Sequence, residues 1–144
     1  MAGRSVAAGG ALVLDSEGLS KLAAGDPRAR AYLETARARR AKVVVSAVTL
    51  AEVLRGGARD ASVHRVLSRI VVAPVTPELG RTAGELLGST GLSGHRCAID
   101  AMVAATALGL ARPVVLLTSD PDDLNRLIDE PACPKEQRVV VVHV

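Results

Sequence analysis

Aromatic residues are almost absent from this chain of 144 residues, which has no Phe, no Trp and a single Tyr, Tyr32. Hydrophobic residues still make up 49% of the sequence, so a core is expected and Leu, Val, Ala and Ile must fill it. Buried strands of parallel α/β proteins have this composition. Stacking on aromatic side chains can therefore contribute little to any nucleic-acid binding.

Cysteine and histidine are also scarce. The two cysteines match no metal-ligand spacing and are too few for a disulfide framework, so a reduced, cytoplasmic setting is expected. The three histidines have no zinc spacing either. The residues concerned are Cys97, Cys133, His64, His95 and His143. A zinc site and a disulfide scaffold are not expected.

The chain has no long apolar run. The longest, residues 97–111, contains Asp100 and is shorter than the roughly 20 residues of a membrane helix, so no membrane span is expected. Near the start, Asp15 closes the apolar run too early for a signal peptide. We predict a single domain over residues 1–144, in which residues 1–10 form a flexible leader. The net charge of +3 permits a polyanionic partner without requiring one.

Apolar, β-branched segments alternate with amphipathic helical segments along the whole chain. The alternation predicts an α/β fold, with a central, mostly parallel sheet of about five strands and helices on both faces. Thr49 is the predicted cap of the helix that carries Glu52, and the Ala-rich helix 96–110 should be buried. The predicted strands are residues 11–14, 42–48, 70–76, 114–117 and 138–144, and residues 88–94 are a predicted loop.

Three acidic residues fall at equivalent positions in this pattern. Asp15 follows the first strand, Glu52 lies in the first turn of the helix after the second strand, and Asp120 follows the strand 114–117. Ligands of open α/β sheets bind in the crevice outside the carboxyl ends of the strands. Each acid also has a simpler explanation: Asp15 could cap a helix, Glu52 could complement a helix dipole, and Asp120 before Pro121 could simply start a helix.

Asp100 is the most unusual acidic residue, because it lies inside the most apolar helix of the chain. A buried carboxylate without a partner is very costly, so such groups become neutral, form a pair or bind a metal. Arg96, four residues earlier on the same helix face, is the alternative partner. Converging carboxylates repel one another, and Mg²⁺ or Mn²⁺, which prefer oxygen ligands, would stabilise them.

Four segments, in order, resemble the motifs of PIN-domain ribonucleases, and in particular the VapC-type toxins of type II toxin–antitoxin pairs. They are "LVLDSEGL", "SAVTLAEVLRG", "CAIDAMVAATAL" and "LLTSDPDDL". The resemblance extends over nearly the whole chain. Each motif alone is weakly specific, whereas four in this order and spacing are a strong match.

The resemblance implies a fold, an activity and a set of partners. It implies a PIN-like domain that hydrolyses RNA phosphodiester bonds with a metal-activated water, forms a homodimer and is inhibited by an antitoxin. Asp123 would be a further metal ligand, although Leu124 stands where many relatives have an aromatic residue. Thr118 matches the usual hydroxyl residue, and Asp122 has no assigned role. The metal-binding and catalytic acids would be Asp15, Glu52, Asp100 and Asp120, with Mg²⁺ or Mn²⁺ as the cofactor.

Two other functions stay open from the sequence. A phosphatase of the haloacid-dehalogenase type would use a strand-end aspartate as nucleophile, but it needs a second Asp where Glu17 stands. A PIN fold could also serve as a non-catalytic interaction domain. No Gly-rich phosphate loop follows the first strand, which argues against a nucleotide-binding module.

One stretch of the sequence is strongly basic and has Glu34 as its only acid. It is either a solvated helix face or a surface beside the acidic site that contacts phosphates. Its basic members are Arg28, Arg30, Arg37, Arg39, Arg40 and Lys42.

Overall fold

Five parallel strands form the central sheet of the protein in a computed structural model that describes residues 9–144. The spatial order is β3-β2-β1-β4-β5, and all four neighbouring pairs are parallel. The predicted α/β class and number of strands are confirmed. The strands are β1 (Ala11–Leu14), β2 (Lys42–Ser46), β3 (Val71–Ala73), β4 (Val114–Thr118) and β5 (Val140–His143).

Helices cover both faces of this sheet, as predicted. In β1, Ala11 and Val13 belong to one hydrophobic cluster, while Leu12 and Leu14 belong to the other, because successive side chains point to opposite faces. The described helices are α1 (Ser16–Ala23), α2 (Pro27–Ala38), α3 (Ala47–Val53), α4 (Ala61–Leu67), α5 (Pro77–Thr90), α6 (Gly94–Leu108) and α7 (Pro121–Leu127). Buried residues of α5, α6 and α7 form the first cluster, and those of α1, α2 and α4 the second.

The strand order creates a switch point between β1 and β4. From β1 the chain continues outward through β2 and β3, and it then returns to the other side of β1 with β4 and β5. Open α/β sheets bind ligands outside the carboxyl ends of the strands at such a point. Asp15 directly follows β1, and Asp120 lies two residues beyond the end of β4. The fold therefore brings these two acids to the same crevice.

The start of α3 differs from the prediction. Ser46 is the N-cap, and its Oγ accepts a hydrogen bond from the N–H of Val48 at 3.3 Å. The predicted strand 42–48 is thus two residues too long, and Thr49 as the cap is wrong. Thr49 lies inside α3, fully buried, and its Oγ1 has no hydrogen-bond partner within residues 9–144. The apolar and β-branched pattern continues past the strand end because Ala47 and Val48 are partly buried and Thr49 is buried at the start of the helix.

The predicted loop at 88–94 is also mostly helical. Helix α5 continues through Gly88 to Thr90, and Gly91, with φ of 71°, ends it in the left-handed conformation that favours glycine. Ser93 then caps α6 by accepting the N–H of Arg96 at 3.4 Å. The density of glycines indicated a loop, but only Gly91 adopts a conformation that ends a helix.

The first described residues are held against the sheet. Gly10 is buried, and its carbonyl accepts the N–H of Lys42 at 2.9 Å. A Cβ atom on Gly10 would lie 1.9 Å from the carbonyl oxygen of Pro113. The predicted leader therefore does not include Gly9 and Gly10, and the rest of that prediction falls on residues 1–8, outside the described part. Within residues 9–144, no helix combines the length and apolarity needed to cross a membrane.

An ion pair joins the segment between α6 and β4 to the segment before β5. The Arg112 guanidinium donates to both carboxylate oxygens of Glu130, at 2.9 and 3.0 Å. It also donates to the carbonyls of Leu108 and Gln137, at 3.1 and 2.8 Å. Two-pronged contact of this kind holds both partners in a fixed geometry. It is the only salt bridge among the described residues.

Candidate active site

Asp15 begins the site at the carboxyl end of β1. Its Oδ1 accepts the N–H of Gly18 at 2.7 Å, so it caps α1, as the simpler explanation proposed. The capping hydrogen bond leaves other acceptor positions of the carboxylate available, because an ionised carboxylate has about four lone-pair positions. Burial raises the pKa of Asp15, and the Thr118 hydroxyl and the Gly18 N–H partly offset this effect. Asp15 is 9% exposed, so its charge is desolvated.

Glu52 lies close to Asp15, although in a different part of its helix from the predicted one. Because α3 spans Ala47–Val53, Glu52 is in its last turn and not in its first. A negative charge is unfavourable at that end of a helix, so favourable interaction with the helix dipole does not explain this residue. Burial raises the pKa of Glu52, and the negative charges of Asp15 and Glu17 add to the rise. A hydrogen bond from the Ser16 hydroxyl lowers the pKa of Glu52 and so partly offsets this rise.

Asp100 is half-buried in the middle of α6 and lies among other acids. Its pKa is raised from the ordinary 3.8 to about 6, and burial is the largest cause. The negative charges of four other carboxylates contribute the rest of the rise, in the order Glu52, Asp15, Asp123 and Asp120. Such effects require proximity, because the interaction falls with distance and solvent screens it. The other four acids therefore lie near Asp100.

Arg96 does not neutralise Asp100. Its side chain is exposed, and no salt bridge or side-chain hydrogen bond of Arg96 occurs within residues 9–144. The alternative in which Arg96 pairs with Asp100 is therefore wrong. The half-buried carboxylate has like charges near it and no positively charged partner within residues 9–144.

The three aspartates after β4 have different environments. Asp120 is exposed at the N-cap position of α7, but its side chain makes no capping hydrogen bond. Its N–H donates instead to the Thr118 Oγ1 at 3.0 Å. Asp123 Oδ2 accepts a weak hydrogen bond from the Cys97 Sγ at 3.8 Å. Asp122 is exposed and does not contribute to the raised pKa of Asp100.

Three residues near the acids were not singled out from the sequence. Ser16 lies beside Glu52, Gly18 donates to Asp15, and Cys97 donates to Asp123. A Cβ atom on Gly18 would lie 2.9 Å from the Leu117 carbonyl oxygen, so glycine lets α1 approach β4. Ser16 and Gly18 belong to the quoted segment "LDSEGL", and that adjacency to Asp15 was the available signal. Nothing in the sequence indicated that Cys97 contacts Asp123.

The donor set suits a hard divalent cation. Within the described part of the chain, no three His, Cys, Asp or Glu side chains are close enough to hold one ion together. Mg²⁺ usually keeps several waters and binds through one or two carboxylates, so such a tight group is not required. Cys97 does not compete as a soft ligand, because burial raises the pKa of its thiol and keeps it protonated.

The structure divides the basic stretch between two surfaces. Arg30 and Arg37 of α2 line a cavity between α1, α2 and α4. Arg39 lines a smaller one, which also includes Tyr32 and Pro113. Three of its six basic residues thus line two separate cavities.

The comparisons with known proteins agree with this architecture. The PIN domain family matches residues 12–129, which is most of the chain. The protein therefore belongs to the PIN domain family. No curated protein sequence matches the chain.

Solved structures share the fold at low sequence identity. VapBC2 from Rickettsia felis, bound to a DNA fragment from their promoter, has a TM-score of 0.62 and 16% identity, over 92% of this chain and 98% of that chain. FitAB bound to the IR36 DNA fragment has a TM-score of 0.59 and 18% identity, over 92% of this chain and 94% of that chain. At these identities the likeness concerns the fold.

Proposed function

We propose that this chain is a metal-dependent endoribonuclease and the toxin of a toxin–antitoxin pair. The observation that carries the proposal is the position of Asp100, half-buried in α6 of a PIN domain and near four other carboxylates, which together with burial raise its pKa to about 6. Such a group of acids beside the switch point of the sheet supports a positively charged partner. Phosphodiester hydrolysis uses such a partner.

All five carboxylates belong to the metal site in this proposal. One or two of Asp15, Glu52, Asp100, Asp120 and Asp123 would bind Mg²⁺ or Mn²⁺ directly, and the others would bind it through its waters. When bound, the ion supplies charge stabilisation at phosphorus and lowers the pKa of the attacking water. The Gly18 N–H, donating to Asp15, fixes one of these carboxylates in place. The buried Thr118 hydroxyl links Asp15 to the backbone of Asp120.

A protein partner belongs to the same proposal. The structural neighbours VapBC2 and FitAB are toxin–antitoxin complexes. An acidic crevice attracts an Arg or Lys side chain, whose charge would replace that of the metal. A homodimer in the cytoplasm completes the proposal, and analytical ultracentrifugation of the purified chain tests its oligomeric state.

Asp100→Asn provides the main test of the enzyme proposal. In protein freed of any bound partner, the variant should cleave labelled RNA at least ~100-fold more slowly in Mg²⁺ or Mn²⁺, because a metal-binding charge is lost. Asp122→Asn is the matched control, since Asp122 is a neighbouring exposed acid outside the group. Circular dichroism of both variants checks the fold. Full activity of Asp100→Asn would contradict the proposed site.

The other two functions predict different results. A non-catalytic interaction domain would cleave no RNA in any divalent metal while it still bound a protein partner. A phosphatase of the haloacid-dehalogenase type would form an aspartyl-phosphate adduct on Asp15. Neither comparison with known proteins supports the phosphatase, and the family match supports a PIN domain.

A further inference from the structure

A cavity of about 300 Å³ lies between α1, α2 and α4, separate from the acidic crevice. Four arginine side chains line it. Arg30 and Arg37 belong to α2. Arg65 belongs to α4, and Arg69 lies just after the end of α4. The second pair lies outside the basic stretch of the sequence, so only the folded chain brings the four together.

No negative charge balances these arginines. No Asp or Glu lines the cavity. Within residues 9–144, none of the four guanidinium groups donates a hydrogen bond or forms a salt bridge. Other arginines of the protein do find acceptors: the side chains of Arg55, Arg112, Arg126 and Arg138 all donate to carbonyls. The cavity is therefore a site of concentrated, unneutralised positive charge.

The four arginines lie on two sides of the cavity. Arg30 and Arg37 are on α2, about two helical turns or ~10.5 Å of rise apart. Arg65 is in α4, and Arg69 lies two residues past its end. Four arginines on two walls suit successive phosphates better than one isolated anion. Each planar guanidinium can bind a phosphate through two hydrogen bonds. The partly buried side chains of Leu33, Val66 and Ile70 give the cavity an apolar wall for a ribose or base.

The cavity lies within reach of a strand bound at the acids. Helix α1 starts at the Asp15 cap and ends at Ala23, which lines the cavity, so the two sites are ~12 Å apart along its axis. This distance corresponds to a few nucleotides of a bound strand. We infer that the cavity is an anchoring site for backbone phosphates of the RNA substrate, outside the cleaved bond. This inference rests on the proposed ribonuclease function.

The test compares two double variants that lose the same charge. Arg37→Gln with Arg69→Gln removes one arginine from each wall of the cavity. Arg59→Gln with Arg81→Gln removes two exposed arginines outside both the cavity and the basic stretch. Binding of a fluorescent single-stranded RNA of about 20 nucleotides is followed by anisotropy in chelator, so that no cleavage occurs. Thermal unfolding shows that both double variants are folded.

The cavity double variant should bind the RNA about tenfold more weakly at low salt. Its salt dependence should also fall, by about 0.7 in slope for each lost phosphate contact. In cleavage assays its KM should rise while kcat is retained, because the anchor acts on binding alone. The control double variant should resemble the wild type in both assays. Equal loss of RNA affinity in the two double variants would overturn the inference.

Two further results are distinguishable. Suppose that the wild type binds RNA but cleaves none in any metal, and that only the cavity double variant binds RNA more weakly than the wild type. The ribonuclease proposal then fails and the phosphate site stands. If the cavity variant loses binding to a polyglutamate peptide but keeps wild-type RNA affinity, the cavity serves an acidic protein segment, and the RNA inference is wrong.

Discussion

The carboxylate of Asp15 accepts the N–H of Gly18 at 2.7 Å, so the same side chain begins α1 and stands at the switch point of the sheet. Different substitutions of Asp15 can separate its structural role, as the cap of α1, from its chemical role, as a negative charge in the site. Asn caps a helix about as well as Asp, whereas Ala does not.

Asp15→Asn should keep the free energy of unfolding within about 0.5 kcal/mol of the wild type, while Asp15→Ala should lower it by about 1 kcal/mol. Both variants should lose RNA cleavage, because both lack the charge. Urea unfolding and a cleavage assay in Mn²⁺ measure the two effects. Equal stability of the Asn and Ala variants would show that the cap contributes nothing.

Gly18→Ala should destabilise the protein by about 1–3 kcal/mol, since its Cβ would lie 2.9 Å from the Leu117 carbonyl oxygen. The matched control is Gly84→Ala in α5, where no atom lies within 4 Å of a Cβ. That change should stabilise by about 0.5–1 kcal/mol, because alanine favours the helix. Urea unfolding midpoints test both. A stabilising Gly18→Ala would mean that α1 can move away from β4 freely.

Asp100 should make the metal-free protein less stable at neutral pH. Its pKa is about 6 in the folded protein and 3.8 ordinarily, so the folded state holds a proton that the unfolded state has released between these values. Stability therefore falls as the pH rises from about 4 to 6, and the penalty persists above that range. The variant Asp100→Asn lacks this penalty.

In chelator at about pH 8, Asp100→Asn should exceed the wild type in stability by about 1–2 kcal/mol, with solvent screening taken into account. The difference should shrink as the pH falls and vanish below about 4. Urea unfolding at a series of pH values measures it. A difference that is independent of pH would indicate an effect of packing and not of charge.

Mg²⁺ or Mn²⁺ should raise the melting temperature, because a ligand of the folded state stabilises it by mass action. At a metal concentration of about 100 times Kd the gain is ~2.7 kcal/mol. Asp100→Asn should lose most of the shift, and Asp122→Asn should retain it. Differential scanning fluorimetry with and without millimolar metal gives the comparison. No shift in the wild type would count against the metal site.

Local sequence patterns were sufficient for the class of fold, and they also named the candidate acids of the site. Runs such as "KVVVS" and "VVLLT" are strand-like because a strand buried on both faces must be apolar, and this requirement is visible in a few adjacent residues. The alternation of such runs with helices implied a parallel sheet. The carboxyl ends of its strands then indicated where Asp15 and Asp120 would meet.

The ends of helices were predicted less well, because several residues in a row can serve as caps. Ser46 and Thr49 both have capping side chains, and only the point where β2 leaves the sheet selects Ser46. Likewise Gly88, Gly91 and Gly94 look alike in the sequence. Of the three, Gly91 alone takes the left-handed conformation that ends α5, while Gly88 lies inside α5 and Gly94 begins α6.

By itself, the sequence determined the layers of the fold and which acidic residues are candidates for the site, since periodicity and strand ends are local properties. Only the tertiary structure decided what surrounds each charge. It placed Glu52 beside Ser16, left Arg96 away from Asp100, and brought Arg30 and Arg37 to the cavity with Arg65 and Arg69. These contacts join residues far apart in the chain, and they depend on how the helices cross the sheet.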